Sequence, residues 1–324
     1  MADNIRYMVC VRCMTYNQSA YIEDSLNGFC IQDTDFPFVC VIVDDASTDG
    51  EPEVVKKYLD NNFCVADDEI LKQEETDDYF LTFAQHRTNK NCFFAVYYLK
   101  YNHWGKKDKV PYYQDLLDNS EFVAICEGDD YWIDPLKLQK QVNYLESHPD
   151  YSMCFHRAHI LKEYECVVGL KCDNIDDREY NANELLEYWK VPTASILERR
   201  EVLDVKNIME ERILNGDIIQ VLNCAKIGKI RGMSDVMSVY RVQNSGVTYD
   251  KSMKKYRTLR YPAHFEFIKD NYPFLKSSII NQKIARAYMN RRKIQTNLGA
   301  YLKDVLLAFH YNPLVFLDKF KSPR

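Results

Sequence analysis

Residues 123–135 read Val-Ala-Ile-Cys-Glu-Gly-Asp-Asp-Tyr-Trp-Ile-Asp-Pro, an apolar run that passes directly into a cluster of acids. The apolar run predicts a buried strand, and no basic residue stands beside Glu127, Asp129 or Asp130. Carboxylate oxygens are the ligands that Mg²⁺ and Mn²⁺ prefer, and an ion held by few protein ligands is normally shared with a substrate's phosphates. Asp134, which precedes a proline, has the pattern of a helix N-cap, and that role leaves the three earlier acids unexplained. The stretch therefore predicts a site for Mg²⁺ or Mn²⁺.

Two earlier segments repeat the same strand-to-polar-turn pattern. The run Tyr7–Val11 predicts a strand followed by a polar turn at residues 15–19, and Phe38–Val43 predicts a second strand that ends in Asp44-Asp45. Helical spacing follows each turn, and this alternation predicts an α/β fold with a parallel sheet and helices on both faces. Such sheets bind ligands beyond the carboxyl ends of their strands. We therefore expect the segments at residues 15, 44–45 and 129–130 to converge on one rim.

The segments outside these three strand ends indicate how the chain is organised into domains. Residues 64–79 are acidic and weakly patterned and predict a solvated loop. In a second loop, over residues 102–109, Lys106 or Lys107 could meet a phosphate or could belong to an exposed turn, and the sequence does not choose between the two. Beyond it we predict strands at 153–155, 193–197 and 236–242, a helix at 217–225, and helices only after residue 248. The predicted organisation is one domain over residues 1–248, with halves at 1–150 and 151–248, and a basic helical extension over 249–324.

Charge is divided unevenly along the chain. The net charge is −6, yet residues 251–324 hold 16 Lys and Arg against four acids. This basic, helix-patterned tail, which includes Leu306 and Phe309, fits either packing on the acidic body or peripheral docking to an anionic membrane surface. It has no recognisable nucleic-acid motif, so nucleic acid is not an expected partner.

Composition predicts an ordinary globular chain. No apolar run reaches the roughly 18 residues that span a bilayer, and residues 1–16 lack the pattern of a signal peptide. Most of the eleven cysteines stand in apolar strand-like runs, which favours buried free thiols over disulfides. We expect a cytoplasmic protein, with peripheral contact at the inner face of the membrane as an extension of that expectation.

Taken together, the three strand ends resemble those of family 2 glycosyltransferases with the GT-A fold, of the type found in bacterial polysaccharide biosynthesis. The segments are Thr15-Tyr16-Asn17, Val43 to Gly50, and Glu127 to Asp130. The resemblance covers the first 150 residues most clearly and continues through Tyr240-Arg241. It implies a Rossmann-like, mainly parallel central sheet flanked by helices, with residues 1–150 as the nucleotide-sugar half and 151–248 as the acceptor half.

The resemblance also implies roles for residues of the donor site. Thr15 and Tyr16 would line the nucleotide pocket, Asp45 would hydrogen-bond uracil, and Asp44 would support its loop. The family's Asp-x-Asp element corresponds to Glu127-Gly128-Asp129. Because a Glu replaces the first Asp, direct contact of Glu127 with the ribose is left open, and Asp129 and Asp130 are the main candidate metal ligands.

Residues of the second half are candidates for the acceptor side. Asp217 occupies the place of the family's catalytic base, although Gly-Asp before an apolar run is also typical of a helix cap. Arg241 would contact the diphosphate, or simply pair with one of the chain's many acids. Trp132 and His156 would line the sugar or acceptor pocket, or else belong to the core.

The function implied is transfer of a sugar from a nucleotide-sugar donor, a UDP-sugar, to a glycan or lipid-linked acceptor with inversion, by a hexosyltransferase-type enzyme. Two alternatives stay open. A sugar-phosphate nucleotidyltransferase shares a similar nucleotide half, but needs a Gly-rich basic loop after the first strand that residues 13–17 do not provide. A non-catalytic sugar-binding or scaffold protein would keep the fold without the chemistry.

Overall fold

A computed structural model describes residues 5–65, 72–105, 108–162, 167–171, 174–205, 211–243 and 251–316. By its internal contacts the chain divides into two compact units. The first comprises residues 1–179, 190–204 and 227–242, and the second comprises residues 180–189, 205–226 and 243–324. The boundary expected near residue 248 and the candidate lysines Lys106 and Lys107 lie outside the described residues.

The first unit is built on a large twisted sheet. Its strands are β1 (Tyr7–Thr15), β2 (Phe38–Asp44), β3 (Lys72–Glu75), β4 (Tyr79–Gln85), β5 (Cys92–Leu99), β6 (Ser120–Ile125), β7 (Tyr131–Trp132), β8 (Tyr151–Lys162), β9 (Val167–Lys171), the short β10 (Glu179–Tyr180), β11 (Leu197–Arg199) and β12 (Lys229–Val242). Neighbours follow the order β12-β8-β11-β6-β1-β2-β5-β4-β3. Strands β6, β1, β2 and β5 run parallel, which confirms the predicted α/β class.

Helices cover both faces of this sheet. They are α1 (Ile22–Cys30), α2 (Glu51–Asn62), α3 (Gln114–Asp118) and α4 (Lys137–Ser147). One face packs against apolar residues of α1, α2 and α4, including Phe29, Leu59 and Val142. The other face packs against Leu117 of α3 and against Tyr113, which directly precedes that helix. Because both faces are covered, the central strands are buried along nearly their whole length, and this explains their continuous apolar sequence.

The second unit is helical. It contains α5 (Ala182–Glu187), α6 (Gly216–Ile227, whose last residue joins the first unit), α7 (Lys251–Asn271), α8 (Ser277–Arg291) and α9 (Leu298–Tyr311). A separate apolar core joins them. Asp304 of α9 is buried and accepts hydrogen bonds from both Nε and Nη2 of Arg291 of α8, the shortest at 2.6 Å, which fixes one face of α9 against the unit. The prediction that the chain is helical beyond residue 248 is confirmed over the described residues 251–316.

Two local predictions were wrong. Residues 72–75 form an edge strand rather than a solvated loop, because their backbone pairs with β4 while three of the four side chains stay exposed. Residues 193–195 form a 3₁₀ turn after Pro192, and the expected strand there begins only at Leu197.

Candidate functional site

The carboxyl ends of three adjacent parallel strands meet at one rim of the sheet. Strand β1 lies between β2, with Thr15 opposite Asp44, and β6, with Arg12 opposite Ile125. Beyond the strand ends the loops remain joined, since Asp45 N donates to Thr15 O at 3.0 Å and Gly128 N donates to Met14 O at 3.2 Å. The predicted convergence of the three polar segments is confirmed.

Glu51, at the first turn of α2, ties the first two loops together. The side chain is fully buried and accepts hydrogen bonds from the Thr15 hydroxyl, from Gln18 N at 2.8 Å and from Ser47 Oγ at 2.9 Å. The positive end of the helix dipole favours a carboxylate there. Glu51 was not predicted from the sequence, where its signal is only an acid at the start of a helix that follows Asp49-Gly50.

Asn17 locks the same two loops from the outer side. It has a left-handed backbone with φ of 54°, a conformation that Asn tolerates better than most residues. Its side-chain oxygen accepts from Thr48 N at 2.7 Å, and its backbone N donates to Ser47 Oγ at 2.9 Å. Tyr16, just before it, is 47% exposed, so its ring is open to a ligand at this rim.

Asp44 and Asp45 differ in environment although both are buried. Asp44 accepts from Ser47 N at 3.2 Å, and burial raises its pKa to about 6. Asp45 is held by two donors at 2.7 Å, since His103 N reaches its Oδ1 and Lys109 Nζ its Oδ2. Asp44 therefore supports the loop as a desolvated acid, whereas Asp45 has an ammonium group beside it.

The loop that carries His103 is itself anchored to the rim. Asn102 donates from its side chain to Asp45 O at 3.0 Å, and the His103 ring stacks on Tyr101 with centroids 4.5 Å apart. The second ring nitrogen of His103 contacts the Tyr112 hydroxyl at 2.9 Å. Sequence patterns identified this segment only as a loop, because its contacts to Asp45 span about 60 residues of chain and have no local signature.

The acidic stretch after β6 is shaped by Gly128. A Cβ atom at Gly128 would lie 2.5 Å from both Gln18 Oε1 and Thr15 Oγ1, so any larger residue would require these side chains to shift. Ser25 Oγ donates to Gly128 O at 2.9 Å and to Asp130 O at 2.6 Å, which anchors the turn to α1. The backbone that presents Glu127, Asp129 and Asp130 is thereby fixed.

The three acids occupy different depths. Glu127 is exposed, Asp129 is half-buried and Asp130 is buried. Burial raises the pKa of Asp129, and a hydrogen bond from Gln18 and the charge of Arg241 act against that rise. Asp130 Oδ1 accepts from Arg241 N at 2.8 Å, so this carboxylate also holds the end of β12 against the site.

Arg241 lies at the same site and is already paired. Its guanidinium donates to Asp24 Oδ2 at 2.6 Å and lies between the rings of Tyr21 and Tyr131, 4.7 and 5.1 Å from their centroids. The side chain is 3% exposed, whereas that of Asp24 is 53% exposed. Of the two alternatives that the sequence left open, the ion pair is the one present.

Trp132 and His156 are interior residues of the first unit. Trp132 is 1% exposed, donates from Nε1 to Ala194 O at 2.8 Å, and has Lys137 Nζ 4.0 Å from its ring centroid. His156 is fully buried, and desolvation lowers its pKa well below the usual value. The structure therefore places both side chains in the core, the second of the two alternatives for them.

Asp217 belongs to the second unit, at the start of α6. It is half-buried, and its Oδ1 accepts from Ile218 N at 2.9 Å; because the helix begins at Gly216, Asp217 lies inside the first turn and is not the N-cap. The helix at this position was predicted from the sequence and is present.

The donor set of the acidic turn fits a hard divalent ion. Asp129 and Asp130 offer carboxylate oxygens, and Asp129 is partly desolvated, so a cation beside it would offset the cost of its negative charge. Within the part of the chain that the structure describes, no group of three or more His, Cys, Asp and Glu side chains is arranged to hold a metal ion.

Part of the chain that forms the site matches a known protein family. Residues 10–70, which contain the first two strand ends, match the model of the family described as Glycosyl transferase family 2. Two uncharacterised proteins, Rv1520 of Mycobacterium tuberculosis and Mb1547 of Mycobacterium bovis, are each 29% identical over 238 residues. The match covers 72% of this chain and 58% of each relative, so the chain spans little more than half the length of these curated relatives.

Solved structures share the fold. TarS of S. aureus in complex with UDP-GlcNAc aligns with a TM-score of 0.58 at 17% identity, over 94% of this chain and 81% of that one. The mannosyltransferase PcManGT of Pyrobaculum calidifontis, in complex with GDP-Man and Mn²⁺, aligns with a TM-score of 0.51 at 16% identity, over 98% and 86%. The resemblance to family 2 glycosyltransferases and the GT-A fold are confirmed.

Proposed function

We propose that this chain, which has the fold of family 2 glycosyltransferases, transfers a sugar from a UDP-sugar to a glycan or lipid-linked acceptor with inversion of configuration. The reaction depends on Mg²⁺ or Mn²⁺ and serves cell-surface polysaccharide biosynthesis. One observation carries the proposal. Three parallel strand ends bring Thr15, Asp45 and Asp129 to one rim, and hydrogen bonds between the loops hold them there.

Asp45 is the residue that reads the base. Lys109 and the backbone of His103 hold its side chain in place, and a carboxyl oxygen is a suitable acceptor for the N3–H of uracil. The exposed ring of Tyr16 offers a flat apolar surface at the same rim, and aromatic faces stack on bases. Guanine also presents an N–H to an acceptor, so UDP and GDP must be compared directly; TarS was solved with UDP and PcManGT with GDP-Man.

The diphosphate lies toward the acidic turn. Asp129 and Asp130 would hold the divalent ion, and the exposed Glu127 would contact the ribose or sugar. The ion supplies Lewis-acid stabilisation of the negative charge that develops on the leaving diphosphate. Arg241 helps to stabilise the negative charge of the leaving diphosphate in one of two ways. Its backbone N holds Asp130 in place, or its guanidinium leaves Asp24 and binds the phosphate oxygens instead.

Asp217 takes the proton from the attacking acceptor hydroxyl. A sugar hydroxyl is a poor nucleophile, and a positioned carboxylate typically contributes about 10² to 10⁴ in rate. Direct attack opposite the leaving diphosphate inverts the anomeric centre and needs no covalent intermediate. The acceptor is proposed as a glycan or lipid-linked sugar, and the basic C-terminal region as a peripheral contact with the inner face of the membrane. Among the described residues, no helix is long and apolar enough to span a lipid bilayer.

The test is turnover of a panel of UDP- and GDP-sugars with Mn²⁺, scored as nucleoside diphosphate release with and without simple glycan acceptors. We expect release from one nucleotide series, a loss of about 10² to 10⁴ in kcat for Asp217→Asn, and wild-type rates for the surface control Asp270→Asn. Pyrophosphate release from UTP and a sugar phosphate would instead establish the nucleotidyltransferase alternative. Donor binding without any turnover would favour the scaffold alternative.

A further inference from the structure

Helix α9 presents an apolar stripe to solvent. Leu298, Leu302, Leu306 and Phe309 are 71%, 50%, 69% and 53% exposed. At 3.6 residues per turn these four positions lie within an arc of about 80°. Leu314 and Phe316, just after the helix, are also exposed. An apolar stripe of this kind on a helix whose opposite face is already packed marks an interaction surface.

The opposite face of α9 is occupied, so the stripe is not a core face turned outward. Asp304 and Ala308 are buried, and Asp304 is held by Arg291 with a hydrogen bond of 2.6 Å. Leu307 and Tyr311 pack against the core of the second unit. The helix is thus fixed in rotation with its apolar stripe away from that core.

The exposed charged side chains near the stripe are basic. Within residues 291–316 the only acid in the sequence is Asp304, and its charge is neutralised by Arg291. Lys293 and Lys303 are exposed, and Arg292 is half-buried against the rings of Tyr301 and Phe316. A helix with an exposed apolar stripe, basic flanks and no exposed acid is complementary to an anionic lipid surface.

We propose that the apolar stripe of α9, flanked by Lys293 and Lys303, docks the protein on the surface of a bilayer that contains anionic phospholipid. The apolar side chains enter the headgroup boundary and the lysines contact phosphates. The inference assigns a surface to the peripheral membrane contact of the proposed function. Docking itself does not depend on transferase activity.

The experiment is co-sedimentation of the full chain with phosphatidylcholine vesicles, with and without phosphatidylglycerol, at low and high salt. The apolar variant is Leu302→Ser/Leu306→Ser/Phe309→Ser and the charge variant is Lys293→Gln/Lys303→Gln. Matched controls are Ile31→Ser, an exposed apolar residue of the first unit, and Lys57→Gln/Lys90→Gln. All replaced side chains are exposed, so the fold should persist, and circular dichroism and a thermal melt of each variant check that it does.

We expect binding that requires phosphatidylglycerol, falls with salt, drops more than tenfold in the apolar variant and drops about fivefold for each lysine removed. The controls should bind as the wild type does. Vesicle binding that survives in the apolar variant would overturn the proposal. So would a wild-type dimer that ignores vesicles and dissociates in the apolar variant, because the stripe would then bind a second copy. If no protein binds UDP while the vesicle results hold, the proposed function fails and the docking surface stands.

Discussion

Replacing Lys109 by Met removes the ammonium group that accompanies the base-reading carboxylate. In the structure Lys109 Nζ lies 2.7 Å from Asp45 Oδ2, and the two side chains are 19% and 4% exposed. Without Lys109, the buried Asp45 carboxylate keeps the hydrogen bond from His103 N but loses the ammonium group at its Oδ2. The variant therefore leaves a buried charge without its cation and no longer fixes the second carboxylate oxygen, so Asp45 is less well placed to accept a hydrogen bond from uracil.

The expected loss of UDP affinity can be estimated from the hydrogen bond between Lys109 and Asp45. A hydrogen bond to a charged group is worth about 1.5–3 kcal/mol, so the affinity for UDP should fall by about ten- to a hundredfold at neutral pH. Lys109→Arg, which keeps a cation at this position, should lose much less.

The assay is calorimetric titration with UDP and, separately, with uridine. Uridine lacks phosphates, so a loss of uridine binding in Lys109→Met locates the effect at the base. If the variant loses UDP but keeps uridine, Lys109 acts on the diphosphate and the assignment of Asp45 as base reader with Lys109 behind it is wrong. Wild-type affinity for both ligands would refute the reasoning entirely.

Two further predictions concern the loops of the rim. Gly128→Ala forces a Cβ to within 2.5 Å of Gln18 and Thr15, so it should lower the free energy of unfolding by about 1–3 kcal/mol and weaken metal-dependent UDP binding. Thermal melts with and without UDP and Mn²⁺ measure both effects. An unchanged melting temperature would mean that the loops yield freely. Asp44 has a pKa raised from 3.8 to about 6, so its contribution to stability is present below pH 4 and lost as the pH rises through 6. Asp44→Asn, which keeps an acceptor for Ser47 N, should therefore gain stability over the wild type between pH 4 and 7, by at most about 3 kcal/mol, and a constant difference across that range would contradict this.

The sequence predicted those parts of the fold whose pattern is local. Strands β1, β2 and β6 were recognisable because burial on both faces requires continuous apolar runs, and their polar ends indicated the rim. The same rule explains the failure at β3. An exposed edge strand that reads Lys-Gln-Glu-Glu is held by backbone pairing to β4 and needs no apolar side chains.

The site could be predicted only as far as residue types and strand ends reach. Asp45 and Asp129 follow strands directly, whereas His103 and Lys109 approach Asp45 from a loop about 60 residues away and carry no local signal. Trp132 follows the acidic turn, but its ring faces inward and its indole N–H bonds Ala194 O. The direction of a side chain depends on long-range packing, which spacing does not encode.

The most direct test of the central claim is calorimetric titration of UDP into the purified protein with and without Mn²⁺, with GDP for comparison. We predict that UDP binds with Mn²⁺, that omission of the metal weakens binding at least tenfold, and that Asp129→Asn and Asp130→Ala abolish the metal effect while Asp270→Asn leaves it intact. Binding of neither nucleotide, with or without metal, would contradict the account, because the rim formed by the three strand ends would then not be a donor site.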